Sequence, residues 1–156
     1  MNEYIANVID ELKRADHIIY VSLKYTRTGD VLKNAVERLI NALDFCILAL
    51  ANKLINENKI SEIPIQPVKK AEIVKEHFSD DEEYGEIISD FMDFYLLLRK
   101  INNAEFTSER EFRRHVAMIV EVDNKKIEIN IDIITEYYHK IKELVDILKK
   151  IVPEND

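Results

Sequence analysis

Apolar residues recur at steps of three and four along most of the chain, which is the spacing of amphipathic helices. The first such stretch runs from Tyr4 to about Leu23, and the second from an N-cap at Asp30 to about Asn58. Between Leu39 and Ile55 the second stretch is apolar on nearly all sides. We therefore expect it to form the central helix of a bundle.

The remaining helices are predicted on both sides of a linker. The segment Ile60–Pro67 contains two closely spaced prolines that disfavour helix, and Val68–Phe78 then predicts a short helix. Ser79 and Glu82 have the spacing of a capping box, which predicts the start of a fourth helix that ends at Asn102–Asn103. Its predicted buried positions are Ile87, Ile88, Phe91, Phe94, Tyr95, Leu98 and Ile101. The last helix is predicted from about Asp132 to Ile151.

The periodicity changes between residues 116 and 131. Val116–Val122 is apolar and rich in β-branched residues, Asp123–Lys126 is turn-like, and isoleucines then alternate with polar residues from Ile127. This pattern predicts a small β-hairpin. The alternative is a helix, because Ile127, Ile131 and Ile134 also fit a helical stripe.

Composition favours an all-α domain. The 156 residues include only 2 Gly and 3 Pro, which is too few for the tight turns of sandwiches, barrels or Rossmann-type folds and excludes a glycine-rich phosphate loop. We predict one domain over residues 1–156. Its expected fold is mostly α, an up-and-down bundle of four to five helices with the hairpin near residues 116–131 as an addition.

Several function classes are disfavoured by the charged and reactive residues. The single Cys46 permits no disulfide framework, and no histidine has a metal-ligand spacing, so we expect neither a metal nor another cofactor. The net charge of -8 argues against a general nucleic-acid coat, because phosphates repel negative charge. No secretory signal or membrane span is apparent, and a reducing, cytoplasmic location is expected.

One short segment concentrates the basic residues. Ser108–Glu111 has the spacing of a second capping box, which predicts a short helix carrying Arg110, Arg113, Arg114 and His115. Cations at a helix N-terminus are unfavourable by themselves, because the helix dipole is already positive there. Helix N-termini and arginine forks both bind phosphate, so the segment predicts an anion site with His115 as its proton-exchanging group.

Two structural interpretations accompany this prediction. Glu111 precedes His115 by four residues, so the pair shares a helix face, as an orienting contact or as an ordinary surface pair. Arg110 and His115 lie about 140° apart around an ideal helix, so we expect two copies of the chain to complete one site.

Lys24, Tyr25 and Arg27 form either a second RNA contact or an ordinary polar loop.

The segment REFRRH, after a long central helix of the type ERLINALDFCILAL, resembles the HEPN domain family. Members of that family are dimeric helical bundles with an Arg-x4-His motif, and many are metal-independent endoribonucleases that act as toxins or as RNA-processing or defence factors. The resemblance implies a homodimer in which Arg110 and His115 are catalytic and Glu111 is the polar residue of the motif. For such an enzyme we expect Glu111 to orient His115, and Arg113, Arg114 and Arg27 to bind substrate. Others in the family are non-catalytic dimerisation modules or bind nucleotides or proteins, and this is the alternative function.

The resemblance also implies how cleavage would proceed. His115 would exchange a proton during attack of the RNA 2′-hydroxyl on the adjacent phosphate, and Arg110 would stabilise the charge that develops on that phosphate. In the branch of the family with nucleotidyltransferase-type antitoxins, a tyrosine follows two positions after the histidine. Here that position is Ala117, which argues against such a partner.

Overall fold

The computed structural model describes residues 2–154. Most of them are helical, and a three-stranded antiparallel sheet lies between the last two helices of the chain. The elements are α1 (Glu3–His17), a π-helical turn (Ile18–Ser22), α2 (Leu23–Tyr25), α3 (Gly29–Asn56), α4 (Pro67–Phe78), α5 (Gly85–Asn103), β1 (Phe106–Glu109), β2 (Ala117–Val122), β3 (Lys125–Asn130) and α6 (Ile131–Ile151). The predicted mostly α fold with a small hairpin is confirmed.

Helix α3 is the centre of the fold, as its apolar pattern predicts. It contacts α1, α4, α5, α6 and β2, and its large side chains such as Leu39, Leu43 and Leu50 are inaccessible to solvent. Cys46 belongs to this core, and burial raises the pKa of its thiol well above the ordinary value. A thiol in this environment stays protonated and unreactive.

By length and hydropathy alone, α3 is also long enough to cross a membrane. In this fold, however, 14 of its residues are buried inside the protein. The helix therefore has the arrangement of the core helix of a soluble protein, since the surrounding helices cover its apolar surface.

The first predicted helix forms but contains a feature that its periodicity does not indicate. Asn2 caps α1 by accepting hydrogen bonds from the amides of Tyr4 and Ile5, at 2.8 and 3.2 Å. The helix then widens into the π-helical turn Ile18–Ser22 before its last residues, Leu23–Tyr25. Such turns are rare and occur frequently at functional sites.

The sheet has the order β1-β2-β3. The hairpin of β2 and β3 turns at Asp123 and Asn124, both of which have positive φ angles of 52° and 65°. The helical alternative is wrong before Ile131, where α6 begins with Asn130 as its N-cap. Helix α6 then continues to Ile151, as predicted.

Three predicted helix starts are wrong. Helix α3 is capped by Thr28, whose Oγ1 accepts from the amide of Val31 at 3.3 Å, and not by Asp30. Helix α5 begins at Gly85 and not after Ser79, because the Asp81 carboxylate takes up two amides in a preceding turn. Ile87, predicted to be buried, is 37% exposed, whereas its neighbour Ile88 is buried.

The third error concerns the basic segment. Ser108 and Glu109 are not the start of a helix but the end of β1, where they pair with Met118 and Ala117 of β2. Residues 110–116 connect these two strands as a loop, called here the β1–β2 loop. The local capping pattern is overridden because β2 offers backbone partners that no sequence window around Ser108 contains.

A partly buried polar cluster links α3 to α5. The hydroxyl of Tyr95 donates a 2.5 Å hydrogen bond to Asp44, and the guanidinium of Arg99 lies over the Tyr95 ring. Burial raises the pKa of Asp44 above its ordinary value of 3.8, whereas the Tyr95 hydrogen bond and the charge of Arg99 act in the opposite direction. The net effect is that the fold holds the Asp44 proton more tightly than the unfolded chain does.

This raised pKa predicts a pH-dependent effect of the substitution Asp44→Asn. A carboxyl with a raised pKa in the folded state stabilises the fold at low pH, and this contribution is lost as the pH rises through that pKa. Since an asparagine side chain does not ionise, we expect the cost of the substitution relative to wild type to be larger at pH 4 than at pH 7. Urea unfolding across this range measures the difference, and an equal cost at both pH values would contradict the assignment.

Candidate functional site

The β1–β2 loop is held in one conformation by Arg110. Its Nε donates to the carbonyl of His115 at 3.0 Å, so that the side chain spans the loop from one end to the other. Its Nη1 and Nη2 each donate to a carboxylate at 3.0 Å, one from Glu109 in β1 and one from Glu128 in β3. Arg110 is therefore neutralised on both sides and acts as a clamp within a single chain.

The loop backbone is also unusual. Arg110 and Phe112 both have positive φ angles, 54° and 67°, in a region that residues other than glycine rarely occupy. The amide of Phe112 donates a 2.6 Å hydrogen bond to the carbonyl of Arg27. This bond joins the β1–β2 loop to the connection between α2 and α3, which is called here the α2–α3 loop (Thr26–Thr28).

The N-terminus of α3 lies directly against the same loop. The amide of Gly29 donates to the Glu111 carboxylate at 3.5 Å, where a negative charge is favourable for the helix dipole. A Cβ atom at Gly29 would lie 2.1 Å from the Ser108 Oγ and 2.9 Å from the Phe106 ring. Only glycine allows this close approach, so strand β1 and helix α3 position the loop together.

The two predicted basic segments therefore form one surface. Lys24, Arg27 and Arg114 line a cleft of about 310 Å³, which has Ile19, Leu23 and Ile131 among its apolar lining. The Nη2 of Arg114 contacts the Asp132 carboxylate at 2.9 Å, in an exposed ion pair. We refer to Lys24, Arg27, Arg113 and Arg114 as the basic surface.

Three cations of the basic surface are not neutralised by a carboxylate. Among residues 2–154, no Asp or Glu forms an ion pair with Lys24, Arg27 or Arg113. Arg27 donates its Nε to the carbonyl of Leu23 at 3.1 Å, which holds its guanidinium beside the cleft. Lys24 and Arg113 are exposed. These three cations are therefore not paired within the described chain, although the whole protein is acidic and Glu111 in the same loop is a carboxylate that contacts only the Gly29 amide.

The predicted site residues are brought together only in part. His115 is exposed, and within the described part of the chain no side chain forms a hydrogen bond or ion pair with its ring. Arg110 reaches the backbone carbonyl of His115 and not its imidazole. Glu111 contacts Gly29, so the shared helix face expected for Glu111 and His115 does not exist.

Two aromatic residues of this surface were not predicted as site residues. Phe112 is 75% exposed in the β1–β2 loop, and Tyr20 of the π-helical turn is 49% exposed and lines the cleft. The sequence does contain one indication for Phe112, since it is an aromatic residue among charged residues in a segment without apolar periodicity. Tyr20 carries no such signal, because the π-helical turn alone determines its direction.

The structure also places the residue that corresponds to the modified tyrosine of the antitoxin-regulated branch. Ala117, at the position of the modified tyrosine in the antitoxin-regulated branch, is a buried residue of β2. In residues 2–154, no group of three or more His, Cys, Asp or Glu side chains is placed to hold a metal ion.

Comparison of the chain with protein-family models, with curated proteins and with solved structures finds no match. The resemblance to the HEPN family therefore depends on the segment Arg110–His115 and on the helical fold.

The clamp predicts a specific effect of Arg110→Ala. We expect the free energy of unfolding to fall by about 1–2 kcal/mol, because three hydrogen bonds of a partly buried cation are lost together. Hydrogen exchange at the amides of Phe112 and Val116 should accelerate as the loop opens. Arg114→Ala, which removes one exposed ion pair, is the control and should cost less than about 1 kcal/mol. Equal effects of the two variants would show that Arg110 is not a clamp.

Proposed function

We propose that this protein is a non-catalytic helical binding module that binds RNA through the basic surface. The observation that carries the proposal is the division of charges around the β1–β2 loop. Arg110 is neutralised by Glu109 and Glu128, whereas Lys24, Arg27 and Arg113 have no carboxylate partner among the described residues. Unneutralised cations in one patch are available for phosphate groups.

The arrangement suits a polyanion better than a single small anion. Lys24 and Arg27 come from the α2–α3 side and Arg113 from the β1–β2 loop, and the Phe112–Arg27 hydrogen bond keeps the two sides together. Several cations spread over one surface can follow successive phosphates of a nucleic-acid strand. We propose RNA as the polyanion because of the resemblance to the HEPN family.

The acidity of the rest of the protein limits the affinity. A net charge of -8 repels RNA as a whole. At 0.1 M salt, charges more than about 10 Å apart are largely screened, so the basic surface attracts RNA only at short range. We therefore propose binding that is weak at physiological salt and strongly salt-dependent. The proposal includes a cytoplasmic homodimer, in which two basic surfaces would raise the affinity for one RNA strand.

Fluorescence anisotropy with a labelled oligoribonucleotide in EDTA tests this proposal. Each phosphate contact contributes about 0.7 to the slope of log affinity against log salt for a single strand, so three cations predict a slope near −2. We expect the double variant Lys24→Ala, Arg113→Ala to bind more weakly at 50 mM salt and to reduce the steepness of this slope by about 1.4.

Lys125→Ala with Lys126→Ala is the matched control. These exposed lysines lie at the hairpin end of the sheet, six residues of β2 away from the β1–β2 loop, and their removal changes the net charge by the same amount. The control should bind RNA almost as wild type does. Equal losses in both double variants would show a general charge effect and would contradict the proposed surface.

A metal-independent endoribonuclease is the second candidate function. It is favoured by the exposed and unpartnered ring of His115, a side chain of the type used in general acid–base catalysis, which lies beside Arg113 and Arg114 in the chain. In this function Arg110 would have to leave its two carboxylates, or a partner chain would have to supply the cation. The resemblance to the HEPN family implies the latter arrangement, in a homodimer.

Incubation of the protein with structured RNA in excess EDTA separates the two functions. For a binding module we expect no cleavage by wild type. Cleavage that disappears in both His115→Ala and Arg110→Ala, with each variant folded by circular dichroism, would instead establish the ribonuclease. Cleavage that persists in His115→Ala would exclude His115 as its catalytic residue.

A further inference from the structure

Phe112 occupies a position that packing does not explain. It is an aromatic residue with a φ angle of 67° and is 75% exposed. Aromatic side chains are ordinarily buried, and a bulky residue at positive φ carries backbone strain. Strain of this kind persists only where the surroundings impose it, and it is concentrated at functional sites.

The surroundings of Phe112 do impose this conformation. Its amide donates the 2.6 Å hydrogen bond to Arg27, and the Arg110 clamp closes the loop on the other side through the His115 carbonyl. The amide of Arg113 also donates to the carbonyl of Arg110 at 3.3 Å. The loop is therefore fixed with the Phe112 ring directed outward.

Tyr25 is the second exposed aromatic residue of this region. It ends α2, is 81% exposed, and lies two residues before Arg27, whose carbonyl accepts from Phe112. Each ring also has a cation next to it in the chain, Lys24 beside Tyr25 and Arg113 beside Phe112. Aromatic rings interleaved with cations form the platforms on which single-stranded nucleic acids are bound.

We propose that Tyr25 and Phe112 stack on unpaired bases, so that the basic surface selects single-stranded RNA over duplex RNA. This inference rests on the proposed RNA binding. The cations hold the phosphates of one strand while the two rings contact its bases. Bases in a duplex are stacked on each other and paired, and therefore cannot reach these rings.

A protein partner with an apolar pocket is the competing occupant of the same rings. The flanking cations favour RNA, because Lys24 and Arg113 are exposed and without carboxylate partners among the described residues. A purely apolar docking site gains nothing from such cations, whereas a nucleotide uses a ring for its base and a cation for its phosphate.

Three probes of equal length test the proposal by fluorescence anisotropy at 50 mM salt in EDTA: a mixed-sequence single strand, the same strand in a duplex, and an abasic strand. Wild type should bind the single strand at least tenfold more tightly than the other two. Phe112→Ala and Tyr25→Ala should each weaken single-strand binding by about 5-fold to 100-fold. Neither variant should change binding of the abasic strand.

Two variants control for changes unrelated to stacking. Phe112→Tyr keeps an aromatic ring and should retain the preference for the single strand. Ile65→Ala removes a 94% exposed apolar side chain from the segment before α4 and should have no effect. Thermal unfolding of each variant shows whether the fold is intact.

The outcomes distinguish this inference from the proposed function. If wild type binds all three probes equally and Phe112→Ala does the same, RNA binding stands and stacking is overturned. If no probe binds even at 50 mM salt, the proposed function fails and the stacking proposal fails with it. In that case a protein partner becomes the explanation for the exposed rings.

Discussion

Helix α3 is apolar on nearly all sides between Leu39 and Ile55, so the other elements must cover this part before the chain can be stable in water. This constraint explains the arrangement of α1, α4, α5 and α6 around it and the position of β2 against it. It also determines where a functional surface can form. No residue of α3 between Leu39 and Ile55 is fully exposed, whereas its N-terminus at Gly29 lies where β1 and the two loops meet. The basic surface is therefore built on the end of the core helix, at a rigid point of the structure.

At the N-terminal end of α3, some of the cations are paired with carboxylates and others are not. Glu109 and Glu128 neutralise Arg110, and Asp132 pairs with Arg114, while Lys24 and Arg113 remain without carboxylate partners among the residues described. An acidic protein can present a positive patch in this way, because electrostatic interactions in salt solution decay within about 10 Å. The same pairing gives Arg110 a structural role within one chain. Its position in the Arg-x4-His motif does not by itself reveal that role.

The rigidity of the β1–β2 loop lowers the entropy that the loop would lose on binding a ligand. A flexible loop would lose conformational entropy on binding, whereas this loop is already held by the Arg110 clamp and by the Phe112–Arg27 hydrogen bond. The positive φ angles of Arg110 and Phe112 are strained conformations that these contacts maintain. If the proposed RNA binding holds, the fold supplies in advance the order that the RNA strand would otherwise have to impose.

The amino-acid sequence by itself determined the features that depend on neighbouring residues. The helices around Leu39–Ile55 and Ile134–Leu148 and the hairpin turn at Asp123–Asn124 follow from local periodicity and turn chemistry. Sequence reasoning also singled out both basic segments, because clustered charges are visible without a fold. Their positive charge follows from residue type alone.

Tertiary structure alone decided the conformation of those segments and the residues that they contact. Ser108 and Glu109 became a strand because β2 pairs with them, and this long-range pairing outweighed a capping pattern that favours a helix only by local hydrogen bonds. The meeting of Arg27 with Phe112 and the neutralisation of Arg110 by Glu128 likewise join residues far apart in the chain. Such contacts depend on which surfaces the buried core brings together, and no local pattern around either residue encodes them.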